Sequence, residues 1–171
     1  SVRVGTVTTG DPGTEAAVVN SGTARDAVLD FTIPQGTPGS AASPVLLSAY
    51  STPPQSGASG SALLFDLNGP VYGSAIAHTA GSGTFTISSA GVYAAAFHGA
   101  FAPASGVTFP LNVTISLQQD GNVIPGGTAL HTFHTSSDVA NLAFTVPVPV
   151  TSAPSTLQAV ASGGTFVYSA V

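Results

Sequence analysis

Between Gly83 and Gly99, Phe85 and Ile87 alternate with Thr84, Thr86 and Ser88. After a turn at Ser89-Ala90-Gly91, Tyr93, Ala95 and Phe97 alternate with Val92, Ala94, Ala96 and His98. A period of two predicts two strands. Both faces of the second strand are apolar and small, so it is expected to be covered on both sides, by its own core and by a second copy of the chain. The same alternation predicts strands at 45–50, 62–67, 71–78, 84–88, 92–97, 111–119, 122–124, 130–135, 140–147, 155–161 and 165–171. Asp120-Gly121 is a hairpin signal. Pro147 and Pro149 each lack a ladder donor, which places their segment on an edge or ends it.

Before Pro44 the pattern predicts three further strands, at 2–8, 15–19 and 26–33, with turns at Thr9 to Gly13 and Asn20 to Gly22. Ala27, Leu29, Phe31 and Ile33 fall on one face of the third. So small a sheet has nothing of its own to cover that face, and three copies closing as a prism would cover it.

Several of these residues carry a family resemblance. Gly83, Phe85, Thr86, Gly91, Tyr93, Phe97 and His98, with Phe65 and Asp66 in LLFDLN upstream, resemble the strand pair of the complement C1q and tumour-necrosis-factor jelly-roll superfamily. Ala95 departs where that family has an aromatic. The resemblance covers about Pro44 to Val171 and implies a trimeric jelly-roll β-sandwich head, with the last strand central in the inner sheet beside the Tyr93 strand. The calcium sites of that family rely on acidic loops, and three Asp in this region put such a site in doubt. The stretch from Thr8 to Gly39 resembles a module of bacterial collagen-like and phage tail proteins that leads into Gly-X-Y repeats. Gly36 and Gly39 stand at triplet spacing, but the repeat then stops. A triple helix needs Gly at every third residue throughout, so the segment reads as a Gly/Pro/Ser linker.

Composition sharpens the picture. A compact monomer of 16.7 kDa exposes about 7,600 Å². Twenty Gly, thirteen Pro and no helical periodicity predict an all-β chain. Two Arg and seven acidic residues are the only formal charges, far below the roughly one quarter usual in soluble domains. Arg3, Asp11, Glu15, Arg25, Asp26 and Asp30 all precede Phe31, leaving only Asp66, Asp120 and Asp138 beyond. That asymmetry marks a boundary near 31–43. Without a basic footprint, nucleic acid and anionic lipid are not expected as partners. The mean hydropathy of +0.41 is high, yet no apolar run approaches the ~20 residues of a spanning helix and the strands are too interrupted for a membrane barrel. Membrane insertion is not expected; a multimer hiding apolar faces accounts for the value. The absence of Cys removes disulfides as staples, and with no initiator Met or signal peptide the sequence reads as a processed chain or fragment.

Candidate chemistry is sparse. No G-x-S-x-G elbow is present. A glycosidase pair could be drawn only from Asp66, Asp120 and Asp138, and the last two sit in predicted turns where Asp is favoured for backbone reasons. The chain is therefore expected not to be an enzyme and to need no cofactor. His131 and His134 are three residues apart, so in a strand they face opposite ways and cannot share an ion within one chain. On a threefold axis either one becomes three, which makes them axial metal candidates beside their reading as hydrogen-bonded imidazoles. His98 reads as structural, and the sequon at Asn112-Val113-Thr114 as a chance match.

The expected architecture is thus all-β: an N-terminal three-stranded trimerisation module at 1–36, a linker at 37–43, and a C1q/TNF-like jelly-roll head at 44–171 that forms a homotrimer. Phe85, Tyr93, Phe97, Phe144, Phe166 and Tyr168 are the expected core and trimer residues of the head; Leu29, Phe31 and Ile33 are those of the module. A fully buried Tyr93 would cost about 3–5 kcal/mol on truncation to Ala. The expected role is the non-enzymatic tip of a fibrous appendage, extracellular or on a virion, cell or spore surface, with itself and a host-surface glycan or protein as partners. Two alternatives stay open: a trimerisation domain without ligand, and a polysaccharide-binding or depolymerase tip.

Overall fold

The computed structural model describes residues 1–39 and 44–169, so part of the predicted linker, 40–43, and the end of the last predicted strand, 170–171, lie outside the described residues. The described residues form strands and loops and no helix. The chain divides into two compact units, Ser1–Ala42 and Ser43–Val171.

The first unit is a sheet of β1 (Val2–Gly10), β2 (Ala17–Asn20) and β3 (Ala27–Pro34), with β3 in the middle, parallel to β1 and antiparallel to β2. Val2, Val4, Val7 and Thr9 lie beside Ala27, Leu29, Phe31 and Ile33, and Val18 lies beside Phe31. The register thereby gathers the apolar side chains on one face. Between Val4 and Val7 the ladder slips, and Asp30 fills the slip by accepting the Thr6 amide at 2.6 Å. A Cβ on Gly5 would run into that carboxylate, so the bulge requires glycine there. The Ser21 hydroxyl and the Thr6 amide hold the Asp30 carboxyl below its usual range.

Among the described residues of this unit none is buried. A single sheet with a wet apolar face is marginal in water. A peptide of residues 1–39 is expected to look disordered by circular dichroism at micromolar concentration, and dispersed amide resonances from a monomeric peptide would contradict this.

The second unit is built on two larger sheets. One is five-stranded, in the order β11 (Asn122–Phe133), β10 (Leu111–Gln119), β13 (Ser155–Gly163), β8 (Phe85–Ile87), β7 (Ile76–His78). The other is four-stranded, in the order β12 (Ala140–Val150), β9 (Gly91–Pro103), β14 (Phe166–Ser169), β5 (Gln55–Gly57). A ribbon of β4 (Leu46–Tyr50) and β6 (Leu67–Tyr72) completes the unit.

Alternate residues of β12, from Ala140 through Phe144 to Val150, are buried against Leu111, Val113, Ile115 and Leu117 of β10 and Leu157, Ala159 and Ala161 of β13 in one continuous core. The two sheets face each other across this core in the manner of a β-sandwich. Its centre is aromatic: Phe101 lies 5.6 Å from Phe166 between ring centroids, and Phe97 stacks on Phe144 at 5.0 Å.

Several strands differ from the sequence pattern for local reasons. The strand predicted at 92–97 runs on to Pro103, because Phe101 continues inward and His98, Ala100 and Ala102 continue outward. Of the segment predicted at 62–67, Leu67 opens β6 and the rest makes only isolated bridges, at Ala62 and Phe65. Its Leu63 and Phe65 are nevertheless buried, and their amides are satisfied by the Ala159 and Ser82 carbonyls. The stretch 71–78 is split near Gly73, which has φ 72°. The segments predicted at 122–124 and 130–135 are one strand, β11, whose register shifts around Gly126. Pro147 and Pro149 lie in β12, an edge strand, where missing donors cost no ladder bond. The short β5 was not predicted.

Candidate functional site

The second unit carries three carboxylate side chains, Asp66, Asp120 and Asp138. Its carboxylates are engaged by neutral donors. Asp120 sits in the β10–β11 hairpin with φ 49°, followed by Gly121 at 81°. It accepts the Thr156 amide at 2.7 Å and the Ser155 hydroxyl at 2.9 Å, and these bonds, the Thr156 amide foremost, hold its carboxyl below the usual range. Asp66 accepts from Ser51 at 3.0 Å and Gln55 at 2.6 Å. Gln55 reaches on to Tyr168, whose hydroxyl accepts the Leu64 amide at 2.8 Å. This network ties β5 and β14 to the irregular segment 62–66.

Asp138 closes the loop between β11 and β12. It accepts the Thr135 hydroxyl at 2.6 Å and the His134 and Thr135 amides at 2.7 and 2.9 Å. Those donors lower its carboxyl from 3.8 to about 2. A depressed carboxyl contributes stability that is complete above its unfolded value and lost as pH falls through its folded value. The loop is therefore expected to hold unchanged down to about pH 4 and to open between about pH 4 and pH 2. Exchange rates of the His134 and Thr135 amides that stay constant through this range would show that Asp138 does not hold them.

The histidines are dispersed. His78 stacks on Phe85 at 4.4 Å and bonds Asn68 and the Ser82 carbonyl. His131 is half-buried in β11, edge-on to Phe133 at 4.6 Å, while His134 is exposed in the following loop. Among the described residues no three His, Cys, Asp or Glu of one chain gather to hold a metal.

The six aromatic residues expected in the core or trimer contact all take the core side. Phe144, Phe166 and Tyr168 are buried. Phe85, Tyr93 and Phe97 are partly buried against the same cluster. Tyr93 is less covered than full burial requires, and its hydroxyl donates to the Ser89 carbonyl at 2.9 Å. The cost of truncating it is accordingly expected to fall below the 3–5 kcal/mol of a fully buried ring.

The opposite face of the four-stranded sheet is the distinctive surface of this unit. Across β9 and β12 it reads Val92 beside Pro149, Ala94 beside Pro147, Ala96 beside Thr145, His98 beside Ala143 and Ala100 beside Asn141. Across β9 and β14 it continues with Ala100 beside Ser169 and Ala102 beside Val167, and Val167 pairs in turn with Ser56 of β5. All five β12 residues and Val92, Ala94, Ala96 and His98 are exposed. The described residues of this face include no Lys, Arg, Asp or Glu, and most are Ala, Val or Pro. The two-sided apolar pattern of β9 signalled half of the face, and 140–147 is likewise expected from sequence to be a contact strand; the register then joins Asn141, Ala143, Thr145, Pro147 and Pro149 to the β9 residues as one surface.

Comparison with known proteins gives little more. No family model matches the chain, and no curated protein matches it. Among solved structures it is similar to a chain described as "EclA C-terminal domain; sugar-binding protein", at 12% identity over 76% of each chain, with a TM-score of 0.29.

Proposed function

We propose that the chain is a non-enzymatic, homotrimeric head of a fibrous surface appendage, whose jelly-roll units close on one another through the outer face of the four-stranded sheet. The observation that carries this reading is the charge-free face itself. A flat surface of Ala, Val, Pro and Thr faces a second copy of itself without like-charge repulsion and without desolvating an ion. Exposed apolar patches of this kind mark association surfaces.

The N-terminal sheet supports the same reading: none of its described residues is buried, and Val2, Val4, Val7, Val18 and Ile33 are exposed. Closure of three such sheets would cover that face too. The place of β14 inside the four-stranded sheet, beside β9, supports the arrangement that the C1q/TNF resemblance implies for the last strand.

Light scattering of the full chain at micromolar concentration should give about three times the 16.7 kDa chain mass; a stable monomer would overturn the assembly. Adhesion is tested separately, by binding of the trimer to a glycan array and to host cells. Absence of binding there would leave a trimerisation domain without ligand, and release of reducing sugar would instead reveal a depolymerase.

A further inference from the structure

We infer that the cleft where the β10–β11 hairpin meets the outgoing end of β12 binds a short neutral saccharide. The inference rests on the adhesive part of the function proposed above and gives it a place. It does not rest on the assembly, since one chain supplies every lining residue.

The cleft holds about 440 Å³, within the roughly 300–1,000 Å³ of small-molecule sites. Part of its lining is aliphatic. Val123, Pro125 and Pro149 are exposed there, with the buried Ile124 between the first two. Such a wall suits the C–H face of a sugar ring, which is apolar although the rim of the ring carries hydroxyls.

The rest of the lining is polar, and its groups are held in place from behind. The Gln119 amide nitrogen donates to the Pro149 carbonyl at 3.1 Å and to the Ser155 hydroxyl at 3.0 Å. A carbonyl oxygen only accepts, so the atom that meets it must be the nitrogen, and Oε1 is left as an acceptor. The buried Ser155 hydroxyl donates onward to Asp120 Oδ2 at 2.9 Å. Thr156 bonds the other oxygen of Asp120 through its amide and its hydroxyl. Asn122 donates its nitrogen to the Asp120 main-chain carbonyl at 3.2 Å, and by the same reasoning its Oδ1 is left as an acceptor.

Three side chains that line one cleft thus carry acceptors whose own positions are fixed by bonds within the protein: Gln119 Oε1, Asn122 Oδ1 and Asp120 Oδ2, which has room for a second donor. Fixed acceptors beside an aliphatic wall match a ligand that offers several hydroxyl donors and a C–H face, and holding them in advance lowers the cost of binding it. The Thr151 hydroxyl at the margin of the cleft can donate or accept, as such a ligand also does. Asp120, held below the usual carboxyl range by the Thr156 amide and the Ser155 hydroxyl, is ionised at neutral pH. A uronic or sialic carboxylate in the cleft would meet that like charge, so the neutral saccharide is preferred.

The test is an NMR titration of the full chain, labelled with nitrogen-15, at neutral pH. The probes are neutral trisaccharides of glucose, mannose, galactose and N-acetylglucosamine, with trigalacturonate as the acidic probe. At least one neutral probe should shift the side-chain amides of Gln119 and Asn122 saturably, and trigalacturonate should bind at least about tenfold more weakly. Asn122→Ala should weaken the neutral probe about three- to tenfold, the loss of one hydrogen-bonding group. Val123→Asp, which sets a charge on the aliphatic wall, should abolish binding. Ser116→Asp, which adds the same charge to β10 outside the cleft, should bind as the wild type does. Circular dichroism shows that the variants remain folded. Shifts that fall on other residues, or binding that both cleft variants leave intact, overturn this site. Tighter binding of trigalacturonate than of every neutral probe overturns the inference, as does binding of no probe. If glycan-array or cell binding persists in any of these cases, the adhesive reading stands and its site lies elsewhere on the head.

Discussion

Phe166→Ala is expected to destabilise the second unit by about 3–5 kcal/mol, the range for removing a fully buried aromatic ring. Phe166 is fully buried, packs on Phe101 at 5.6 Å and on Tyr168 at 6.0 Å, and lies in the short strand β14 between β9 and β5. Its ring also covers Gly57 of β5, its partner across the ladder, so closely that a Cβ on Gly57 would run into the ring. Gly57→Ala should therefore cost about 1–3 kcal/mol as overpacking. The two changes should not add. In the double variant the new methyl group occupies part of the space that the ring vacates, so the double should be less destabilised than the sum of the singles. Urea denaturation at one fixed protein concentration measures all three. A double variant that equals the sum within about 0.5 kcal/mol would show that the ring does not rest on Gly57.

That contact illustrates what the sequence could and could not disclose. Alternation over Leu111 to Gln119, Ala140 to Pro147 and Ser155 to Ala161 announces strands because bulky side chains mark every second position, and burial follows the same beat. Gly57 announces nothing: it belongs to a three-residue strand without an apolar side chain, and its reason for being glycine lies more than a hundred residues away in Phe166. Segment 62–67 misleads in the other direction. Its Leu63 and Phe65 are buried as the pattern demands, but their amides find single partners on β13 and in the loop between β7 and β8, so apolarity appears without a ladder. The role of Asp138 was legible, since turn-forming Asp is favoured for the local backbone bonds it accepts; Asp120 stands in a turn as expected, but its bonds to Ser155 and Thr156 of β13 had no local signal. His98 was legible as a member of the outward face of β9, and only the register sets it beside Ala143 of β12.

If the copies assemble as proposed, Ala96→Asp is expected to convert the proposed trimer to a folded monomer. Ala96 is exposed within its own chain, beside Thr145 on the outward face of β9. A carboxylate there meets water in the separated copy, and its effect on the fold of the unit should stay within about 0.5 kcal/mol. In the assembled state it would be buried against alanine and proline side chains with no cation on the face. The effective penalty for burying an unpaired ion is several kcal/mol, incurred three times in a trimer, which exceeds what a contact of this kind can offset. The control is Ser116→Asp on β10, a half-buried position that faces away from the core on the five-stranded sheet and pairs with Thr128. It adds the same charge to the opposite side of the sandwich and should leave the trimer intact. Light scattering separates the two, and circular dichroism shows that both remain folded. If Ala96→Asp stays trimeric, the copies meet through some other surface. If Ser116→Asp dissociates as readily as Ala96→Asp, net charge governs the assembly, and the outer face of β9 and β12 has no special part in it.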